Sequence, residues 1–240
     1  MGAYLNGQKI ARPYLNGVRH NAYLNGQKIW NSPPRYSNFF DVFIPFSATH
    51  GAANIGLNGG QPVRKAGTGA VVFSNTMGAL FPGQTLYTID PFVLTSTDWS
   101  MSVWYNPKGV SGYHCLFDIK LGGTDVCAMQ FNGTALGCYV WGGGTVTYSP
   151  VQAVGIWAHY CLNSDGTFYV NGVYQSTKTP GTKTIGSAIF GIASDAKGNY
   201  IGRSAYGYLS NLAFIQGRRL TASEISGIYE AGHAPAELSA

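Results

Sequence analysis

Charge is the scarcest property of this chain. Of 240 residues only 10% are charged, against about 25% in an average globular protein. No Asp or Glu precedes Asp41, whereas Lys9, Arg12, Arg19, Lys28 and Arg35 all do. The other 10 basic side chains are balanced by the 10 acidic ones, so the whole formal charge of +5 belongs to the N-terminal segment. Long apolar runs are missing too. No stretch of 18 apolar residues predicts a transmembrane helix, and no apolar stretch after Met1 reads as a secretory signal. The four cysteines, Cys115, Cys127, Cys138 and Cys161, lack Cys-x-x-Cys spacing. Glutamate is confined to Glu224, Glu230 and Glu237. There is no Gly-x-Ser-x-Gly elbow, phosphate loop or His-Glu-x-x-His motif. His159 and Cys161 lie two apart on one strand, but zinc needs four converging ligands. The chain therefore reads as a non-enzyme, with no catalytic residue and no metal ligand assigned.

Glycine, tyrosine and phenylalanine are plentiful, at 33, 16 and 12 residues. That is the composition of many short strands joined by tight turns. The N-terminus repeats itself. Ala3-Tyr-Leu-Asn-Gly-Gln-Lys-Ile10 recurs unchanged as Ala22-Tyr-Leu-Asn-Gly-Gln-Lys-Ile29, with Pro13-Tyr-Leu-Asn-Gly-Val-Arg-His20 between them. Each unit centres Asn-Gly, the strongest two-residue hairpin signal, between short arms. A lone hairpin is marginal in water, so three without a core become ordered against something else. Residues 1–35 thus read as a basic arm that docks on an acidic surface. Tyr4, Asn6, Lys9, Arg12, Tyr14, Arg19, Tyr23 and Lys28 are its candidate anchor residues. A solvated tail is the plainer alternative, and nucleic acid a weaker partner because the basic residues are sparse.

Asn31-Ser-Pro-Pro-Arg35 reads as a linker. Beyond it, residues 39–46, 70–73, 85–89, 100–105, 115–120, 126–131, 135–141, 156–162 and 167–170 read as strands. The stretch from Ser47 to Gly69 reads as loop with one weak strand. Spacings of eight to twelve residues predict a sandwich or barrel. A hairpin at Asn132-Gly133 would set Cys127 opposite Cys138, in a hydrogen-bonded pair whose Cα atoms stand farther apart. Buried thiols are therefore favoured over a disulfide. Thr221-Ala-Ser-Glu224 is a capping box, with Ile225, Ile228 and Tyr229 on one helical face and Gly232 as the stop. Residues 233–240 read as a tail.

Six short motifs follow in fixed order: Trp99-Ser-Met-Ser-Val-Trp104, Gly155-Ile-Trp157-Ala-His159, Asp165-Gly-Thr-Phe-Tyr-Val-Asn-Gly172, Tyr200-Ile-Gly-Arg203, Gly207-Tyr-Leu-Ser-Asn-Leu-Ala-Phe214, and Leu220-Thr-Ala-Ser-Glu224 on to Tyr229. In this order they resemble the laminin-G-like, concanavalin-A-like jelly-roll domain. With Tyr36 to Phe46, Gly69 to Phe73 and Gly83 to Tyr87, the resemblance covers residues 36–232 and is strongest to versions found in phage virion proteins. It implies an all-β, two-sheet antiparallel sandwich with a short C-terminal helix, used for binding and for building surfaces. It also implies buried Trp99, Trp104 and Trp157, a structural Arg203, and calcium through loop oxygens. For calcium the chain offers only the scattered Asp90, Asp98, Asp165 and Asp195. Laminarinases on this fold carry Glu-x-Asp-x-x-Glu on one strand, and no such strand occurs here. Asp118 and Asp125 flank a Gly-Gly turn without a positioned acid.

A sugar would stack on an exposed ring. Trp141-Gly142-Gly143-Gly144 is the first candidate platform, with Trp141 as a core or rim residue the alternative; Tyr206 and Tyr208 around Gly207 are the second. The functional expectation is a structural protein of a tailed-phage virion: a capsid decoration, fibre or tail adhesin, assembled in the host cytoplasm. Its partners would be other capsid or tail proteins, further copies of itself and host-surface glycan, with no membrane and no cofactor. The alternative is a carbohydrate-binding module of a bacterial surface or secreted protein.

Overall fold

Apolar residues recur at alternate positions along most of the chain, and in the computed structural model the described residues form twenty-one strands and one helix. The structure describes residues 40–57, 63–83, 85–109, 112–132, 135–148, 153–193 and 204–234, together with the backbone of six short strands between residues 3 and 30. Contacts divide the chain into two compact units, Met1–Arg35 and Tyr36–Ala240.

In the first unit, β1 (Ala3–Leu5) pairs with β2 (Gln8–Ile10), β3 (Tyr14–Leu15) with β4 (Val18–Arg19), and β5 (Ala22–Leu24) with β6 (Gln27–Trp30). The registers Leu5↔Gln8, Leu15↔Val18 and Leu24↔Gln27 leave Asn-Gly between each pair of strands, as the repeats predict. They also set Tyr4 across from Lys9, Tyr14 from Arg19 and Tyr23 from Lys28. Asn6 and Arg12 lie outside the described residues.

The second unit is a two-sheet antiparallel jelly roll. Sheet one contains β7 (Val42–Ile44), β9 (Val72–Ser74), β10 (Gly78–Pro82), β12 (Trp99–Pro107), β17 (Ala158–Asn163), β18 (Thr167–Val170), β19 (Val173–Thr177) and β21 (Tyr206–Gln216). Its order is β19-β18-β17-β12-β21-β10-β9, with β7 beside the far half of β21. Sheet two contains β8 (Val63–Gly67), β11 (Thr85–Leu94), β13 (Tyr113–Leu121), β14 (Thr124–Asn132), β15 (Ala135–Val140), β16 (Gly143–Tyr148) and β20 (Gly186–Ile192), in the order β16-β15-β14-β13-β20-β11-β8. Several strands escape the sequence pattern, among them β10, β16, β19 and β20. Each is short or glycine-containing, and only pairing with a neighbour defines it.

The strand at the centre of sheet one, β12, is buried along its whole length. One side, Trp99, Met101, Val103 and Tyr105, joins the core between the sheets with Phe117, Ile119, Met129, Phe131 and Phe190. The other side is covered by α1 (Ala222–Ala231) and the segment around Phe40 and Phe43. There Phe40, Phe43, Cys161, Ala213, Ile215, Leu220, Ile225 and Ile228 form a second, smaller core. The capping box is present: the Glu224 amide donates to the Thr221 hydroxyl and the Thr221 amide to the Glu224 carboxylate. Arg218 adds two bonds to that carboxylate, both at 3.0 Å. Partial burial works to raise the Glu224 carboxyl, but these partners outweigh it and hold the group below its usual range.

The outward-facing serines of β12 are also paired. The Leu220 amide donates to Ser100 Oγ at 2.7 Å, and Ser102 Oγ meets His159 Nε2 at 2.8 Å. His159 is fully buried, and loss of solvent lowers its pKa to about 3, so its imidazole is neutral at pH 7.

Two expectations need correction. Cys127 does not face Cys138, because the ladder pairs Asn132 with Ala135 and so sets Cys127 opposite Val140 and Cys138 opposite Met129. This register matches Phe131 with Leu136, two apolar side chains, where the expected one would have matched it with Thr134. All four cysteines are buried thiols. The second correction concerns Trp141. Trp141 and Gly142 are the two residues between paired Val140 and Gly143, with φ of 54° and 66°. That is the left-handed pair a tight hairpin demands, usually filled by Asn-Gly. Their amides donate to Val126 and Asp125 carbonyls at 2.8 and 2.7 Å. The ring turns inward, 2% exposed, with its centroid 5.9 Å from that of Trp99 and its Nε1 donating to the Ser164 carbonyl. Trp141 is therefore an end plug of the core and no exposed platform, and Gly143 and Gly144 begin a strand.

Two outcomes follow. Trp141→Ala should lower unfolding free energy by about 3–5 kcal/mol, as for other buried tryptophans; an unchanged urea midpoint would contradict the packing. His159 has a depressed folded-state pKa, so its contribution is complete above about pH 6.5 and is lost as pH falls toward about 3. Wild-type stability should drop by about 1.4 kcal/mol per pH unit from this group between pH 6.5 and 5. His159→Gln should flatten that slope in urea melts, and an equal slope in both proteins would refute the assignment.

Candidate functional site

Where α1 runs out, the outer side of sheet one is covered by aromatic rings. The alternation that turns Tyr105 and Leu209 inward turns Asn106 and Tyr208 outward, and these two are paired across β12 and β21. The strands approach closely because Gly207 lies beside Asn106: a Cβ there would collide with the Asn106 carbonyl oxygen. The loop before β17 is tied onto the end of β12. Gly155 N donates to the Pro107 carbonyl at 2.8 Å, and Asn106 Nδ2 donates to the Gly155 carbonyl at 3.1 Å. This places half-buried Trp157 beside Tyr208, with ring centroids 6.3 Å apart. Lys108 Nζ lies 5.2 Å from the centre of the Tyr208 ring, close enough for a cation–π contact.

Beyond Gly232 the chain folds back. His233 stacks on Trp157 with centroids 4.5 Å apart and planes 23° from parallel. Partial burial lowers its pKa, which keeps this imidazole neutral at pH 7. Asn211 Nδ2 donates to the Ala234 carbonyl at 2.9 Å and holds the segment. Trp104 lies deeper, stacked on Tyr229 at 5.6 Å and tilted against His159 at 5.3 Å. Three polar atoms here have no hydrogen-bond partner among the described residues: Trp104 Nε1 in the deeper layer, and Asn106 Oδ1, on a residue only 5% exposed, and Trp157 Nε1 at the ledge.

The two candidate sugar platforms lie apart. Trp141 packs on Trp99 at one end of β12, and Tyr208 pairs with Asn106 at the other, about 23 Å away for seven residues of strand. Tyr206 is 42% exposed, and its carbonyl accepts from Tyr105 Oη and the Lys108 amide. Of the predicted residues, Tyr208 belongs to the ledge; Trp157, Asn106, Lys108 and His233 complete it and were not predicted. Trp157 was expected in the core with Trp99 and Trp104, but β17 starts one residue after it, at Ala158. The signal available was Gly155, two residues before, which marks a loop rather than a strand.

The carboxylates are committed elsewhere. Asp98 and Asp165, two calcium candidates, both pair with Arg219, so a guanidinium supplies the cation there. Partial burial works to raise Asp165, but Thr167 and Arg219 outweigh it and hold the carboxyl below its usual range. Asp90 lies apart on β11, and Asp195 and Arg203 fall outside the described residues. Among the described residues no cluster of three or more His, Cys, Asp or Glu could hold a metal ion. Asp118 and Asp125 share Lys120 at 3.1 and 3.0 Å. Burial alone would lower the Lys120 pKa, but the two carboxylates raise it above its ordinary value. Two carboxylates bound to one ammonium are not a general acid and base. The Ser102–His159 hydrogen bond is sealed beneath α1, where no substrate reaches it.

Comparison with known proteins agrees with this architecture. The family model described as the concanavalin A-like lectin/glucanases superfamily matches residues 81–226. The chain matches no curated protein sequence. Among solved structures it is similar to domain 4 of AbnA, a GH43 extracellular arabinanase from Geobacillus stearothermophilus solved with arabinotriose: TM-score 0.58, 17% identity, covering 80% of this chain and 99% of that one. It is similar to the receptor binding domain of botulinum neurotoxin mosaic serotype C/D, with TM-score 0.58, 9% identity and 82% of this chain covered. A Trypanosoma rangeli sialidase complex gives TM-score 0.60, 12% identity and 86% coverage. The chain spans 51% of that neurotoxin chain and 34% of that sialidase. At these identities the likenesses establish the fold, while the family match covers more than half of the sequence: the chain belongs to the concanavalin A-like lectin/glucanase superfamily.

Proposed function

We propose that this protein is a non-catalytic display protein, in which a lectin-like jelly roll recognises glycan and the N-terminal arm attaches it to a larger assembly. The assembly favoured is a tailed-phage virion, with the chain serving as capsid decoration, fibre or tail adhesin, in several copies, and meeting host-surface glycan. One observation carries the reading: a repeated arm that holds the entire net charge is joined to a charge-balanced jelly roll as a separate compact unit. Three hairpins with the same Tyr–cation register offer three equivalent contacts to an acidic protein surface, and linked contacts multiply in avidity.

A second reading, a carbohydrate-binding module of a bacterial surface or secreted protein, is favoured by the likeness to domain 4 of the arabinanase, of which 99% is covered.

Removing residues 1–35 separates the two. The remaining chain should stay folded, with an unchanged melting temperature, yet fail to sediment with purified virions, whereas the full chain is found there by immunogold labelling. Particles that carry the shortened chain at normal copy number would disprove attachment through the arm. Absence of the full chain from virions would favour the second reading.

A further inference from the structure

Resting on the glycan reading above, we propose that the outer ledge of sheet one is the glycan site, and that it takes a carboxylate-bearing sugar ring, which displaces His233 from the face of Trp157. The stacking partner of Trp157 is a small flat ring 4.5 Å away, the position an apolar sugar face occupies on an indole. That ring belongs to the chain beyond the helix stop, where Gly232 has φ of 87°. Among the described residues the segment is held by the stacking of His233 on Trp157 and Trp104 and by a hydrogen bond from Asn211 to the Ala234 carbonyl. A sugar that displaces His233 replaces the stacking contact with its own.

The ledge is chemically incomplete. Asn106 Oδ1 is an acceptor and Trp157 Nε1 a donor, each buried and each without a partner among the described residues. An unmet group of this kind costs about 1–3 kcal/mol. Sugar hydroxyls donate and accept, so one ring can satisfy both. Lys108 decides the class of sugar. It is exposed, stands over Tyr208, and has no carboxylate paired with it among the described residues. The other cations that flank sheet one near α1, Arg218 and Arg219, are taken by Glu224, Asp98 and Asp165. An ammonium with no carboxylate partner among the described residues, standing over the Tyr208 ring, matches a carboxylate on a stacked sugar.

The full chain is tested on an array of neutral and uronate-containing oligosaccharides, and the hits are titrated by tryptophan fluorescence. Wild type is expected to bind carboxylated glycans in a salt-sensitive manner. Lys108→Gln should weaken them about tenfold, equivalent to about 1.4 kcal/mol, at unchanged melting temperature. Trp157→Ala should abolish binding. Because that change also removes packing, His233→Gly is the decisive variant: it should tighten binding several-fold, which loss of a merely structural contact would not do. Unchanged or weaker binding by His233→Gly overturns the displacement. Wild-type affinity in both Lys108→Gln and Trp157→Ala overturns the ledge while leaving the glycan reading intact. Binding of neutral glycans alone overturns the carboxylate. If neither wild type nor His233→Gly binds any glycan, the glycan reading itself fails.

Discussion

Burial of β12 on both faces is the constraint from which the rest of the jelly roll follows. A strand at the centre of a sandwich has one side for the facing sheet, and its other side normally meets water. Here Ser100, Ser102, Trp104 and Asn106 are shielded on that second side, so every polar atom there must be matched or remain costly. The chain answers with the segment from Leu220 to Tyr229. Leu220 bonds Ser100, Ile225 and Ile228 fill the second core, and Tyr229 lies over Trp104. Cover is aliphatic beneath the helix and becomes aromatic at its margin. The ledge of Trp157, Tyr208 and His233 is that margin, and the unmatched Asn106 and Trp157 atoms lie where the cover stops being complete.

The helix was legible in the sequence because its start is written in four adjacent residues, Thr221 to Glu224, whose geometry is local. The arm hairpins were legible for the same reason. Trp141 was not, since Trp-Gly-Gly-Gly reads as an open loop by composition. The outcome depended on Trp99, forty-two residues earlier, offering a buried surface worth more than the left-handed strain at Trp141. Alternation puts Trp99 and Trp104, five residues apart, on opposite faces, but it does not say that both faces are buried. Both are apolar residues on one strand, but they face opposite layers, and only the return of α1 over sheet one makes the second layer a core. The register at Cys127 failed by two residues because the Asn-Gly signal competed with the pairing of Phe131 and Leu136, and the apolar pair prevailed.

Electrostatics divides the molecule more sharply than packing does. Within the described part of the jelly roll, Arg218, Arg219 and Lys120 are each bound to carboxylates. Such pairs add little to stability at the surface. A fold shared with hydrolases is here furnished with carboxylates that serve as caps and ion-pair partners.

The sulfur chemistry has a consequence for how the fold can be watched. Cys127, Cys138 and Cys161 are sealed from solvent, and burial pushes their thiols far above the ordinary range. Thiolate is the reactive form in exchange and oxidation, and here it is effectively suppressed. Reaction at these three sulfurs must wait for the core to open, so their labelling rate reads the opening of the sandwich rather than the reagent.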